Sequence, residues 1–366
     1  MTFLLYIINR SILILSLLIF LIPTVSAVAI INVTQLTYGT DERSYGNPSW
    51  SPDGSKIAYS AGSSYNYSIW VANIDGSSPV QLTGGRGLVD LSPKWSPDGR
   101  TIVFHRIEYI EEHHEGDFIY IMNANGMDQK KLIGAARNPS VSSDGQYIAF
   151  DAGGVKGISV TPEQGYGIFV MNIDGTNVKR LTENFGDEIL PSWSPDGKKM
   201  VFTKDGIIYT MHVDGSNMTS TGQGGYYARW SPDGKYIAFL SDRAGDVFRK
   251  TKLDRIYVMD ADGTNVTQLT FGANRWDGIF DWSPDGTKII FDSAVPTAPR
   301  TIGNIYIMTL DFNVTITPTP TVTQTPTITP TETPALTATQ TPEAPGFSLL
   351  VALASISILV LIRRIK

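Results

Sequence analysis

Pro191-Ser192-Trp193-Ser194-Pro195-Asp196-Gly197 is one copy of a phrase that this chain writes six times. The others are Pro48 to Gly54, Pro93 to Gly99, Pro139-Ser-Val-Ser-Ser-Asp-Gly145, Ala228 to Gly234 and Phe280 to Gly286. The tryptophan position recurs at spacings of 45, 46, 52, 37 and 52 residues, which is the period of a repeat architecture. Ser-Pro-Asp-Gly encodes a tight turn: proline presets φ for the first central position and glycine takes the left-handed position that closes a hairpin.

After each turn comes a strand of fixed alternation: Ile57/Tyr59, Ile102/Phe104, Ile148/Phe150, Met200/Phe202, Ile237/Phe239 and Ile289/Phe291, with Ala58, Val103, Ala149, Val201, Ala238 and Ile290 between them. Both faces are apolar, so both must be covered. A third strand recurs around Ile69-Trp-Val71, Ile119 to Met122, Ile168 to Met171, Ile208 to Met211, Ile256 to Met259 and Ile305 to Met308. Five of these run into a second turn, at Asp75-Gly76, Asn125-Gly126, Asp174-Gly175, Asp214-Gly215 and Asp262-Gly263, and then a short fourth strand. Four strands per unit and no helical stretch predict a blade of a β-propeller, and a closed ring protects the sheet edges that a linear stack would leave open. The sixth unit lacks its fourth strand. Asn32-Val-Thr-Gln-Leu-Thr-Tyr-Gly39 nearly repeats Asn265-Val-Thr-Gln-Leu-Thr-Phe-Gly272, so the N-terminal segment is expected to complete the last blade. The expected fold is all-β: a six-bladed propeller over 31–312, closed by an N-terminal strand.

The repeat resembles the TolB-type six-bladed propeller family, through Trp-Ser-Pro-Asp-Gly, the following Ile-Ala-Phe strand, and Ile-Tyr-Val-Met-x-x-Asp-Gly with Leu-Thr. That resemblance implies the fold. Related propellers dock proteins, gate peptidases or act as lyases, so it leaves the function open. The helical N-terminal domain of TolB itself has no counterpart in this sequence.

The two ends read as addresses. Arg10, the apolar run Ser11 to Ile22, Pro23 and Val25-Ser26-Ala27 fit an export signal helix over 1–27. Residues 313–345 are Thr/Pro-rich and fit an extended, O-glycosylated stalk. In 346–366 an uncharged run, Phe347 to Ile362, precedes Arg363, Arg364 and Lys366; as a helix it spans about 24 Å, a short transmembrane segment with its basic end inside. Pro345-Gly346-Phe347, the apolar run and the terminal arginines resemble the PGF-CTERM sorting signal of archaeal surface proteins, a family cut near that motif and joined to a lipid. The expected location is the cell surface, anchored by that helix or a lipid. Asn32, Asn66, Asn217, Asn265 and Asn313 begin glycosylation sequons.

The whole chain carries 29 basic and 35 acidic residues, a net −6. The exported part is near −10, with 25 basic residues left once Arg10 and the tail are removed. Nothing there suits nucleic acid. The absence of cysteine excludes disulfides, thiolate metal sites and a cysteine nucleophile. No nucleophile elbow, zincin helix, P-loop or dinucleotide fingerprint occurs, and no cofactor or metal is expected. Glu111-Glu112-His113-His114-Glu115-x-Asp117 reads as a charged hairpin tip, since adjacent strand residues face opposite ways.

Sequence places the short uniform turns on one end of the units and the long, dissimilar connections on the other. Variable loops on a rigid scaffold are where binding concentrates. The candidate contacts there are Arg43 with Asp41 and Glu42, Arg86, Asp90, Arg137, Asp187, Glu188, Tyr226, Tyr227, Arg275, Trp276 and Asp277. The reading is a non-catalytic propeller binding a surface protein or envelope glycan through its long-loop face. The alternative is an extracellular carbohydrate-active enzyme, lyase or glycosidase, built on carboxylate pairs.

Overall fold

The structure, a computed structural model, describes residues 25–316 except 64, 112, 154–164, 183–185, 244–252, 273–274 and 298–299. The expected signal helix up to residue 24, most of the stalk and the 346–366 tail lie outside the described residues. Among those described, no helix is long and apolar enough to cross a membrane.

The chain is all-β. It opens with β1 (Val25–Gln35). The first repeat unit is β2 (Ser44–Trp50), β3 (Lys56–Ser63), β4 (Asn66–Asn73) and β5 (Val80–Gln81). The second is β6 (Leu88–Trp95), β7 (Thr101–Ile110), β8 (His113–Asn123) and β9 (Lys130–Gly134). The third is β10 (Ala136–Val141), β11 (Tyr147–Ala152), β12 (Gly167–Asn172) and β13 (Lys179–Arg180). The fourth is β14 (Glu188–Trp193), β15 (Lys199–Lys204), β16 (Ile207–His212) and β17 (Thr219–Gly224). The fifth is β18 (Tyr226–Trp230), β19 (Tyr236–Ser241), β20 (Arg255–Asp260) and β21 (Thr267–Gln268). The sixth has three strands of its own, β22 (Trp276–Trp282), β23 (Lys288–Thr297) and β24 (Arg300–Ile316).

Each unit is an antiparallel meander, and β1 pairs with β24 as the fourth strand of the sixth sheet, Gln35 opposite Tyr306 and Val33 opposite Met308. That pairing runs past both expected boundaries, from Val25 opposite Ile316. The first two units share one sheet through a single parallel contact, Tyr67 opposite Val89.

The turns form as their residues dictate. In all six, the serine hydroxyl donates to the aspartate two residues on at 2.6 Å, as in Ser51 to Asp53 and Ser231 to Asp233. The glycines take φ of 69–72°. The third unit keeps this geometry with Ser143 in the proline position.

Apolar clusters sit between neighbouring sheets. Ala58, Ile69 and Val71 pack on Ile102 and Phe104; Val103 and Ile119 on Ile148 and Phe150; Ala149 and Ile168 on Met200 and Phe202. Val201 and Ile208 pack on Ile237 and Phe239, and Ala238 and Ile256 on Ile289 and Phe291. Ile290 and Ile305 of the sixth unit pack on Trp50, Ile57 and Tyr59 of the first. The two-sided apolar pattern of the second strand is thus spent on two different neighbours, one per face. The tryptophans belong to these interfaces: Trp193 Nε1 donates to the Ser140 carbonyl of the preceding unit at 3.1 Å, and Trp282 Nε1 to the Arg229 carbonyl at 3.3 Å.

Candidate functional site

The first strands converge. β2 touches β6, β6 touches β10, β10 touches β14, β14 touches β18, β18 touches β22, and β22 touches β2. Every one of the six carries a register shift against its second strand. In five of them a residue in the left-handed region sits at the shift: Asn47, Ser92, Asn138, Leu190 and Tyr227. A bulge re-aims side chains and bends the strand. Nothing in the repeated phrase announces it, because the residues at the bulge differ from unit to unit.

Two largely polar layers stand at this level, one on the second strands and one on the first. One layer is built by the residue that follows the second-strand aromatic: Ser60, His105, Asp151, Thr203, Leu240 and Asp292. Asp151 is fully buried; its Oδ1 accepts from Asn138 Nδ2 at 2.9 Å and from the Leu190 amide, in the next unit's bulge, at 3.0 Å. Oδ2 has no hydrogen-bond partner, and the nearest cation is Arg137 Nε at 4.0 Å. Burial pushes the carboxyl up to about 6. Asp292 does the same for the first unit, accepting the Asn47 amide, and burial with Asp277 nearby pushes it up to about 7. Its carboxylate lies against Gly46 and Gly278, where a Cβ would come within 3.4 and 2.5 Å of Oδ2. Tyr227 lies within electrostatic reach of both acids, and burial raises its phenol to about 12. Clustered perturbed groups of this kind mark candidate sites.

The other layer is the residue before each tryptophan position: Ser49, Lys94, Ser140, Ser192, Arg229 and Asp281. Asp281 Oδ2 accepts from Ser49 Oγ at 2.9 Å and the Trp50 amide at 3.1 Å. Burial holds Lys94 down to about 8, with Asp281 opposing that shift and Arg229 adding to it.

The residues expected to make contacts on the long-connection end divide into two groups. Asp90, Glu188 and Asp277 are buried and already paired. Asp90 takes a two-pronged bond from Arg106 at 2.6 and 2.9 Å, Glu188 pairs with Lys204 at 2.5 Å, and Asp277 lies 3.5 Å from Arg255 and accepts from Ser293 Oγ at 2.7 Å. They tie first strands to their surroundings, each carboxylate turned to its own cation and away from solvent. Arg43, Arg86, Asp187 and Trp276 are exposed, while Arg137, Tyr226, Tyr227 and Arg275 are half-buried. Arg43 lies 5.0 Å over Trp70, Arg137 4.3 Å over Tyr166 and Arg275 4.7 Å over Tyr306.

The histidine-rich hairpin places Asp117 between two imidazoles, 2.8 Å from His105 Nε2 and 3.3 Å from His114 Nε2. Among the described residues no three His, Asp or Glu side chains are placed to hold a metal ion. Of the sequon asparagines, Asn32, Asn66, Asn217 and Asn265 are exposed. Asn217 and Asn265 take left-handed φ in the second turns, and Asn265 Nδ2 donates to Asp260 at 2.7 Å. The side chain of Asn313 lies outside the described residues.

Comparison with known proteins follows the same lines. The chain is 29% identical over 162 residues to an uncharacterized protein of Agrobacterium fabrum, covering 42% of this chain and 53% of that one. It is 31% identical over 149 residues to the TolB homolog of Chlorobium luteolum, covering 41% of this chain and 31% of that protein. It therefore spans about half the length, or less, of these curated relatives, both from bacteria. A solved TolB-like structure from Agrobacterium tumefaciens superposes with a TM-score of 0.55 at 23% identity, over 76% of this chain and 96% of that one, a likeness of fold. The profile described as the TolB β-propeller domain matches residues 25–164 and 153–254, more than half of the 366 residues, and the chain belongs to that family.

Proposed function

We propose that the chain is an exported, surface-held binding protein: a closed six-bladed propeller with a central channel, presenting its long-connection end to a protein or glycan partner. Closure is supported by the packing of the sixth unit on the first and by the β1–β24 pairing. It is supported again at the turns, where the Gly54 position lies 3.8 Å from Pro284, as Gly99 does 3.5 Å from Pro52. Surface anchoring rests on the residues of the two ends, with the tail holding the protein by helix or lipid.

One observation carries the choice of face. β24 enters at the long-connection end, with Arg300 opposite Thr297, passes the short turns, with Thr309 opposite Lys288, and continues to Ile316. The described chain thus leaves on the short-turn side. The opposite end, among the described residues, carries Arg43, Arg86 and Trp276 exposed. Arginine and aromatic side chains are the ones that dominate interface energetics.

The chain has no cysteine, so a single introduced cysteine carries a photo-crosslinker without background. Arg86→Cys on the long-connection end and Lys198→Cys beside the short turn are both exposed positions. On intact cells the first should capture a defined partner and the second should not. Capture from Lys198→Cys alone, or equal capture from both, would refute the reading.

A further inference from the structure

The layer before the tryptophans has an unbalanced charge. Six inner strands contribute one residue each at the same register position. Three are serines, Asp281 is the single acid, and Lys94 and Arg229 are the two bases. Lys94 and Arg229 stand in the second and fifth units, three units apart in either direction, yet each lies within electrostatic reach of Asp281, and Lys94 within reach of Arg229. The three charges therefore belong to one level of the touching first strands rather than to one sheet.

Their hydrogen bonding is incomplete on the cationic side only. Asp281 is held by Ser49 and the Trp50 amide. Arg229 is 9% exposed; Nη1 donates to the Pro191 carbonyl at 3.3 Å, and Nε is buried with no partner. Among the described residues Lys94 Nζ has neither a hydrogen bond nor an ion pair, although solvent reaches the side chain. Ser140 and Ser192 are each 6% exposed, and their hydroxyls add donors at the same level. A cation removed from bulk water is costly unless it is paired, and the fold supplies one carboxylate for two cations. The available donors are an ammonium, a guanidinium N–H and two hydroxyls, a set that complements an oxyanion.

We propose that Lys94 and Arg229, with Ser140 and Ser192, form an axial anion site that accepts an oxyanion group, carried either by a free anion or by the carboxylate end of an extended chain. The ligand supplies the negative charge that the layer lacks. Lys94, half-buried and reached by solvent, acts as the entry contact, and Arg229 is the buried floor.

The test uses the full chain with inorganic phosphate as probe, against chloride at matched ionic strength, by titration calorimetry. A saturable phosphate heat is expected. Lys94→Met should weaken it at least fivefold. Asp281→Asn, which keeps an acceptor oxygen for Ser49 and the Trp50 amide, should tighten it several-fold; a destabilised fold cannot produce that gain. Tri-alanine and its C-terminal amide form the second arm. Binding of the free acid but not the amide identifies a carboxylate end as the ligand; phosphate binding alone identifies a free anion. No binding of either probe, or phosphate affinity unchanged in both variants, overturns the site.

Discussion

Asp151→Asn is expected to stabilise the protein at alkaline pH and to lose that advantage in acid. The side chain is fully buried and its carboxyl sits at about 6 against an ordinary 3.8, the largest cause being burial. The sign follows from the raised value. Asp151 binds its proton more tightly folded than unfolded. Its contribution to stability is complete below pH 3.8 and is lost as pH rises through 6. Above pH 7 the ionised group costs about 3 kcal/mol, since each tenfold difference in proton affinity between folded and unfolded chain is worth about 1.4 kcal/mol. That cost is already net of the bonds from Asn138 and Leu190 and of Arg137 at 4.0 Å.

Asparagine keeps one oxygen for those two donors and removes the charge. Its amide then occupies the position of Oδ2, which has no partner, at a cost of about 1–2 kcal/mol. The expected gain at pH 8 is about 1–2 kcal/mol, a rise of about 2–6 °C in Tm for a domain of this size. At pH 4 the wild-type carboxyl is protonated and the variant should be equal or slightly less stable. Urea unfolding of both proteins at the two pH values measures this. A variant less stable by about 1 kcal/mol or more at pH 8 would refute the reasoning, because the charge would then be needed by the Leu190 bulge.

Three further outcomes follow from the geometry. Gly278→Ala places a Cβ 2.5 Å from Asp292 Oδ2 and should cost about 1–3 kcal/mol in urea unfolding through overpacking; a cost below about 0.5 kcal/mol would mean that the carboxylate is not held there. Trp193→Phe removes the 3.1 Å bond to the Ser140 carbonyl, whereas Trp95 Nε1 has no partner. Trp193→Phe should therefore cost about 1 kcal/mol more than Trp95→Phe, a ranking that the two melting curves settle. Hydrogen bonds from Ser51 and Ser55 bring Asp53 down to about 2, and at Asp285 those from Ser283 and Thr287 outweigh burial to give the same value. Their contribution is present above pH 3.8 and lost as pH falls through 2, so their side-chain NMR signals should stay ionised at pH 3 while those of free carboxyls have titrated.

What could be read from the sequence was the part of the fold that repeats. Ser-Pro-Asp-Gly, Ile-Ala-Phe and Asp-Gly give the strand order, the turn geometry and the interfaces, because local chemistry fixes each one in the same way six times. The join of Asn32–Gln35 to Tyr306–Thr309 was legible for the same reason: the missing fourth strand of the sixth unit had a near copy at the other end of the domain. The inner surface was not legible. The bulges at Asn47, Ser92, Asn138, Leu190 and Tyr227 share a conformation without sharing a residue. Asp90, Glu188 and Asp277 looked like loop carboxylates because their cations stand on other strands, 16 residues away for Asp90 and Glu188.

The signal that does point inward is variation at a fixed register. The residue before the tryptophan position is Ser, Lys, Ser, Ser, Arg and Asp in turn, while the Trp-Ser-Pro-Asp-Gly after it stays nearly constant. The residue after the second-strand aromatic is Ser, His, Asp, Thr, Leu or Asp in an otherwise apolar strand. A repeat conserves what packing requires of every unit. Positions that differ here lie on the touching first strands and beside them on the second, where the units meet and no two need be alike. The chemistry of such a protein is therefore to be sought in the columns where its own repeats disagree, which here single out Lys94, Arg229 and Asp281 in one layer and Asp151 and Asp292 in the other.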